Sequence, residues 1–84
     1  MEITNVQIYP VDNHEKLKAY AHVTIDDCFI VRDLKVIYGT KGLFVSMPNK
    51  KYRDEFKEIA HPLNTETREK FHRAVIDRYK EEIS

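Results

Sequence analysis

The chain's 84 residues, 42% of them hydrophobic and 33% charged, make one globular domain spanning 1–84 and exclude a second. Its 14 basic and 14 acidic side chains cancel, which excludes a simple polycation held to phosphate by bulk charge. No apolar run approaches the ~20 residues that cross a bilayer, the opening Met1-Glu2-Ile3-Thr4-Asn5 lacks the basic-then-apolar order of a signal peptide, and the lone Cys28 cannot close an internal disulfide, so a cytoplasmic protein is expected.

The segment from Ile3 to Val11 is rich in β-branched residues, and Val6 and Ile8 alternate with Asn5 and Gln7, which predicts a first strand. Pro10 has no N–H for a ladder and marks an edge or an end. Asp12-Asn13-His14-Glu15 predicts a turn closed by Asx chemistry. From Leu17 to Ile25 the alternation is complete: Leu17, Ala19, Ala21, Val23 and Ile25 form an apolar face, and Lys18, Tyr20, His22 and Thr24 form the other. Asp26-Asp27 predicts a tight turn into a third strand, Cys28 to Tyr38, completing a hairpin. The apolar phase slips within that strand, because Phe29 and Val31 have one parity and Leu34 and Val36 the other. A bulge near Asp33 returns all four to the core side.

Gly39-Thr40-Lys41-Gly42 holds both glycines of the chain and predicts another tight turn. A short fourth strand, Leu43 to Met47, follows. Pro48 to Arg53 reads as a polar loop, and Glu55 to Ala60 as a weakly patterned fifth strand. After His61-Pro62-Leu63 the period changes to 3.6. Asn64 or Thr65 can cap a helix with Glu66 in its first turn, and Phe71, Ala74, Val75, Tyr79 and Ile83 fall on one face. Glu66–Lys70 and Glu69–Arg73 have the spacing of stabilising ion pairs. Four to five antiparallel strands followed by one C-terminal helix make an α+β domain, with no repeat and no linker.

Two segments carry a specific resemblance. Gly42-Leu43-Phe44-Val45-Ser46-Met47-Pro48-Asn49-Lys50-Lys51 and Ile59-Ala60-His61-Pro62-Leu63-Asn64 resemble the two central motifs of the stage V sporulation protein G (SpoVG) family. Ala21 to Val31 resembles a third family segment, and Thr67-Arg68 with Ala74-Val75 resembles the family's helix. The resemblance implies a small antiparallel sheet with a C-terminal helix, and a homodimer formed through the sheet. It also implies binding of DNA and, in some members, RNA, with roles in gene regulation, septation and sporulation. Family binding is attributed to basic residues at Lys50 and Lys51, with Arg53 nearby, and on the helix to Arg68, Lys70 and Arg73. Two departures stand out. Many members continue into an acidic tail, whereas this sequence stops at Ser84, so no role of such a tail is expected. The stretch Lys51-Tyr52-Arg53-Asp54-Glu55 also differs from the common form, so a target sequence is not carried over.

The charge distribution supports the loop independently. Residues 1–34 carry a net −3, residues 35–57 a net +4 and residues 58–84 a net −1. Lys50, Lys51 and Arg53 lie in the positive segment, where long cationic side chains can meet phosphates. The same residues also suit an ordinary solvated loop. Arg68, Lys70 and Arg73 sit among Glu66, Glu69 and Asp77, the composition of an ordinary charged outer face more than of a strongly basic recognition helix. Tyr20, His22 and Thr24 point away from the apolar face, where aromatic residues can stack single-stranded bases, although such a face is more often covered by a helix or a second subunit.

Little points to catalysis. His14, His22, His61 and His72 do not form a metal-binding pair. Cys28 reads as a small buried hydrophobe and His61 as an organiser of the junction before the helix. Asp26, Asp27 and Asp33 suit turn and bulge roles, and two glycines cannot build a phosphate-cradling loop. No metal, cofactor, small-molecule substrate or membrane partner is expected. The rival to a nucleic-acid-binding regulator is a non-catalytic protein-interaction module acting in septum formation, which zero net charge and the mixed helix surface also suit.

Overall fold

A computed structural model describes residues 1–12 and 14–83. Strands β1 (Ile3–Pro10), β2 (Leu17–Ile25), β3 (Phe29–Gly39) and β4 (Gly42–Ser46) form an antiparallel sheet in the order β1-β2-β3-β4. A separate two-stranded ribbon, β5 (Asn49–Tyr52) with β6 (Glu55–Glu58), follows, and then helix α1 (Thr65–Ile83). The β2–β3 and β3–β4 joins are short turns, and each strand of the main sheet pairs with the next in sequence.

The bulge expected near Asp33 is present. Ala21 pairs with Leu34 but Val23 pairs with Val31, so one residue of β2 faces two of β3, and Asp33 takes φ 63°. Leu34 and Val36 become fully buried, and Val31 packs against the core. Phe29, the first residue of β3, lies on the same side opposite Ile25 but stays 63% exposed. Two further shifts leave Thr4 and Lys18 as the extra residues: Ile3 still packs against the core, whereas Leu17, expected on the core face, pairs with Ile37 and so joins the opposite face. The extra Thr4 is put to use, since its Oγ1 accepts the Asp27 N–H at 3.0 Å.

The β2–β3 turn is Asp26-Asp27, both with positive φ, and is closed by Cys28 N–H donating to the Ile25 carbonyl at 3.1 Å. Asp26 is fixed further because its Oδ1 accepts the Glu2 N–H at 2.9 Å. Cys28 therefore belongs to the turn and is exposed, which corrects its reading as a buried strand residue. Of the expected 12–15 turn, Asn13 lies outside the described residues. There the His14 ring closes the chain, its Nδ1 accepting the N–H groups of Lys16 and Leu17 at 3.2 and 2.9 Å. At the β3–β4 turn Gly42 has φ 111°, where a side chain is strained. Gly39 serves a different purpose. A Cβ there would stand 2.9 Å from the Phe44 ring, so its bare backbone is the floor on which that ring lies.

Helix α1 crosses one face of the sheet, packing mainly on β1 and β4. Asn64 is the N-cap, its Oδ1 accepting the Thr67 N–H at 2.8 Å. Phe71, Val75, Ile76 and Tyr79 close over Ile8, Ala19, Ala21, Val23, Leu34, Val36 and Met47. Burial of each large apolar side chain contributes about 1.5–3 kcal/mol. Ile76 joins the face read from the sequence, Ala74 is half-buried, and Ile83 is exposed at the last turn. The expected pairs Glu66–Lys70 and Glu69–Arg73 do not close. Arg78 instead meets Glu81 and Glu82, each at 3.2 Å, and Lys70 Nζ donates to the Met1 carbonyl at 3.1 Å.

The opposite face of the sheet is left uncovered by the helix. Phe44 lies there at 44% exposure, because strand alternation puts it opposite Leu43 and Val45, which pack on the core.

Candidate nucleic-acid interface

The residues from Pro48 to Arg53 do not form a loop. After β4 the Met47 side chain enters the core and Pro48 is buried. Asn49 Nδ2 then donates to the Met47 carbonyl at 3.2 Å, and Ile59 N–H donates to the Pro48 carbonyl at 2.9 Å. These bonds clamp the base of the β5–β6 ribbon. Beyond that base, among the described residues, no other strand and no part of the helix packs its backbone against the ribbon. All eight ribbon residues but Asn49 are exposed.

The register concentrates cations. Lys50 stands directly opposite Lys57, Lys51 opposite Phe56, and Tyr52 opposite Glu55. Like charges facing each other across a ladder oppose pairing, so the Lys50–Lys57 pair does not serve the ribbon's own stability. Lys50 Nζ lies 5.5 Å from the centre of the Tyr52 ring and Lys51 Nζ 5.9 Å from that of Phe56. Both ammonium groups are thus held along the ribbon by aromatic faces. At the tip Arg53 takes φ 57° in the two-residue turn, a conformation that ordinarily favours glycine. The tip therefore carries backbone strain to place an arginine at the ribbon's furthest point. The sequence singled out Lys50, Lys51 and Arg53. It missed Lys57, which lies far enough along the chain that only the strand register brings it to Lys50.

The helix residues are disposed differently. Arg68 is turned back to Glu58 at the foot of the ribbon, Nη2 to Oε1 at 3.3 Å and Nη1 to Oε2 at 3.4 Å. Both groups are well exposed, so the pair contributes about 0–1 kcal/mol and mainly ties α1 to β6. Lys70 is engaged with the N-terminal carbonyl. Arg73 lines a shallow groove with Glu66, Glu69 and Asp77, where negative charge outweighs positive. The six residues read from the sequence thus divide between the ribbon, which holds Lys50, Lys51 and Arg53, and the helix, where Arg68 turns to Glu58 and Lys70 and Arg73 line one groove with three acids. The structure does not gather them into one surface. His61, at the junction, places Nδ1 2.8 Å from the Pro62 carbonyl, the organising role read for it.

The chain matches the SpoVG family model over residues 1–81. Curated relatives cover 99% of it. They include a protein of Anaeromyxobacter sp. (strain Fw109-5), 60% identical with 86% of its length covered. Others are from Bdellovibrio bacteriovorus, 52% identical with 77% covered, and Myxococcus xanthus, 49% identical with 84% covered. Each bears the name "Putative septation protein SpoVG", which refers to septation and to no reaction.

Proposed function

The chain belongs to the SpoVG family, and from that premise we propose that it is a cytoplasmic, homodimeric, nucleic-acid-binding regulator whose β5–β6 ribbon meets the phosphate backbone. The observation that carries this reading is the ribbon's charge. Lys50, Lys51, Lys57 and Arg53 outnumber Asp54, Glu55 and Glu58 on a protruding two-stranded element, and its like-charged Lys50–Lys57 pair favours a bound anion. A two-stranded ribbon fits the major groove of duplex DNA, and lysines and arginines on it set register on the backbone. Two ribbons in a dimer supply enough cations for about four to six phosphate contacts, and hence a salt slope of roughly −4 to −5. Dimer formation is supported by the thin core of a small domain and by the open ladder edges of β1 and β4.

A second reading has its own observation. Ile59 and Leu63, beside the ribbon base, are exposed, Leu63 at 92%. This apolar spot suits a protein partner at the septum, in keeping with the relatives' name. Titration of the purified protein against pools of random duplex DNA and matched RNA at two salt concentrations separates the two. Salt-sensitive binding with enrichment of particular sequences is expected. Absence of binding to both pools at low salt, with a protein complex that persists at high salt, would establish the septal interaction module instead.

A further inference from the structure

The sheet face turned away from the helix carries a second, differently built surface. Tyr9 pairs with Tyr20, Tyr20 with Lys35 and Lys35 with Ser46, so one row crosses all four strands. Beside it His22 lies against Tyr9, ring centres 4.8 Å apart and tilted by 53°. On the far side Phe44 pairs with Ile37 and lies on the bare backbone of Gly39. Tyr9, Tyr20 and Phe44 are 47%, 37% and 44% exposed. A tyrosine pair, an imidazole and a phenyl ring thus stand on one open face around a lysine.

Charge at the regular strand positions of this face is positive. The strand positions that alternate with the core residues carry Lys35 and Arg32 and no carboxylate, and the acid nearest them is Asp33, set in the bulge. The domain's other acids in this half lie in turns and at chain ends, such as Asp26, Asp27 and Glu15. The surface therefore matches a ligand that combines flat π-faces with negative charge. Bases stacked in a duplex cannot offer their faces, whereas unpaired bases can.

Resting on the nucleic-acid reading above, we propose that the open face of the main sheet binds single-stranded nucleic acid by stacking bases on Tyr20, Phe44 and Tyr9, with Lys35 meeting the intervening phosphate. This makes it a second site, distinct from the ribbon that meets duplex backbone. The rings are solvent-facing and contribute little to the core, so their removal leaves the fold intact. Stacking does not release counterions, so removing a ring lowers affinity without changing the salt slope. Removing a lysine that meets a phosphate lowers both.

The test is fluorescence anisotropy with labelled 12-nucleotide oligo-dT and oligo-U and a mixed-sequence duplex, using wild type, Tyr20→Ala, Phe44→Ala, Tyr20→Phe and Lys50→Ala/Lys51→Ala. Each ring-to-Ala variant is expected to bind single strands roughly tenfold more weakly at an unchanged salt slope, to keep duplex affinity, and to keep its circular dichroism spectrum. Tyr20→Phe, which retains the ring, is expected to stay within about twofold. The oligo-dT and oligo-U arms tell whether the strand is DNA or RNA. Wild type that binds duplex but neither oligonucleotide overturns this inference and leaves the ribbon reading standing. Failure to bind any of the three overturns both. Unchanged oligonucleotide affinity in the ring-to-Ala variants, with a particle mass that falls in light scattering, shows that a second copy of the chain covers this face and also overturns it.

Discussion

Asp26 and Asp27 occupy the same unfavourable backbone region for different returns. A non-glycine residue there costs about 1–2 kcal/mol, and Asp26 recovers part of it by accepting the Glu2 N–H. Among the described residues, no side-chain bond of Asp27 offsets its cost in the same way. Asp27→Gly is therefore expected to stabilise the domain by about 0.5–1 kcal/mol and raise Tm by a few degrees in a thermal melt. Asp26→Gly, which also removes the Glu2 tether, is expected to leave Tm level or lower it. A fall in Tm for Asp27→Gly would show that its carboxylate is needed by the fold. In the core, Phe71→Ala removes a buried ring at the centre of the helix–sheet contact and is expected to cost about 3–5 kcal/mol. That is a large fraction of a small domain's stability. Leu63→Ala, at an exposed position, is expected to stay within about 0.5 kcal/mol when both variants are compared by denaturant titration.

The elements differ in what holds them. Strands β2 and β3 have ladder partners on both sides and the helix on one face. The β5–β6 ribbon has only its own ladder and the clamp at Met47, Pro48 and Ile59, and an isolated two-stranded ribbon is marginal in water. Hydrogen exchange should therefore show the amides of 49–58 exchanging far faster than those of β2 and β3, and slowing when nucleic acid is added. Equal protection in the free protein would mean that the ribbon is packed against something other than solvent. Much of this layout is legible in the sequence. The period-2 face of 17–25, the bulge forced by the phase slip at Asp33 and the 3.6 period after Leu63 each follow from where apolar residues must go. The first ribbon strand reads as a loop because Asn49-Lys50-Lys51-Tyr52 has no apolar alternation: neither of its faces is buried, so hydrophobic patterning leaves no trace there. Phe29 is more exposed than its parity implies for a related reason. Parity assigns a face, but it does not say how far the covering helix reaches.

For the whole molecule, neutrality conceals a division of labour. The ribbon concentrates cations, the helix surface mixes both signs, and the open sheet face carries rings. The candidate site is half legible in the sequence on this scale, since Lys50, Lys51 and Arg53 stand together. Lys57 joins them only through strand register, and Arg68 is drawn away by Glu58 through a contact between elements. Binding to duplex DNA through the ribbon should therefore depend on its lysines far more than on Arg68, Lys70 or Arg73. The most direct measurement is the salt dependence of duplex binding for wild type against Lys50→Ala/Lys51→Ala/Lys57→Ala, with ribbon folding checked by NMR chemical shifts. The account predicts uniformly weaker binding across sequences and a log–log salt slope shallower by about one for each phosphate no longer neutralised. An unchanged affinity and slope in the folded triple variant would contradict it and move the interface off the ribbon.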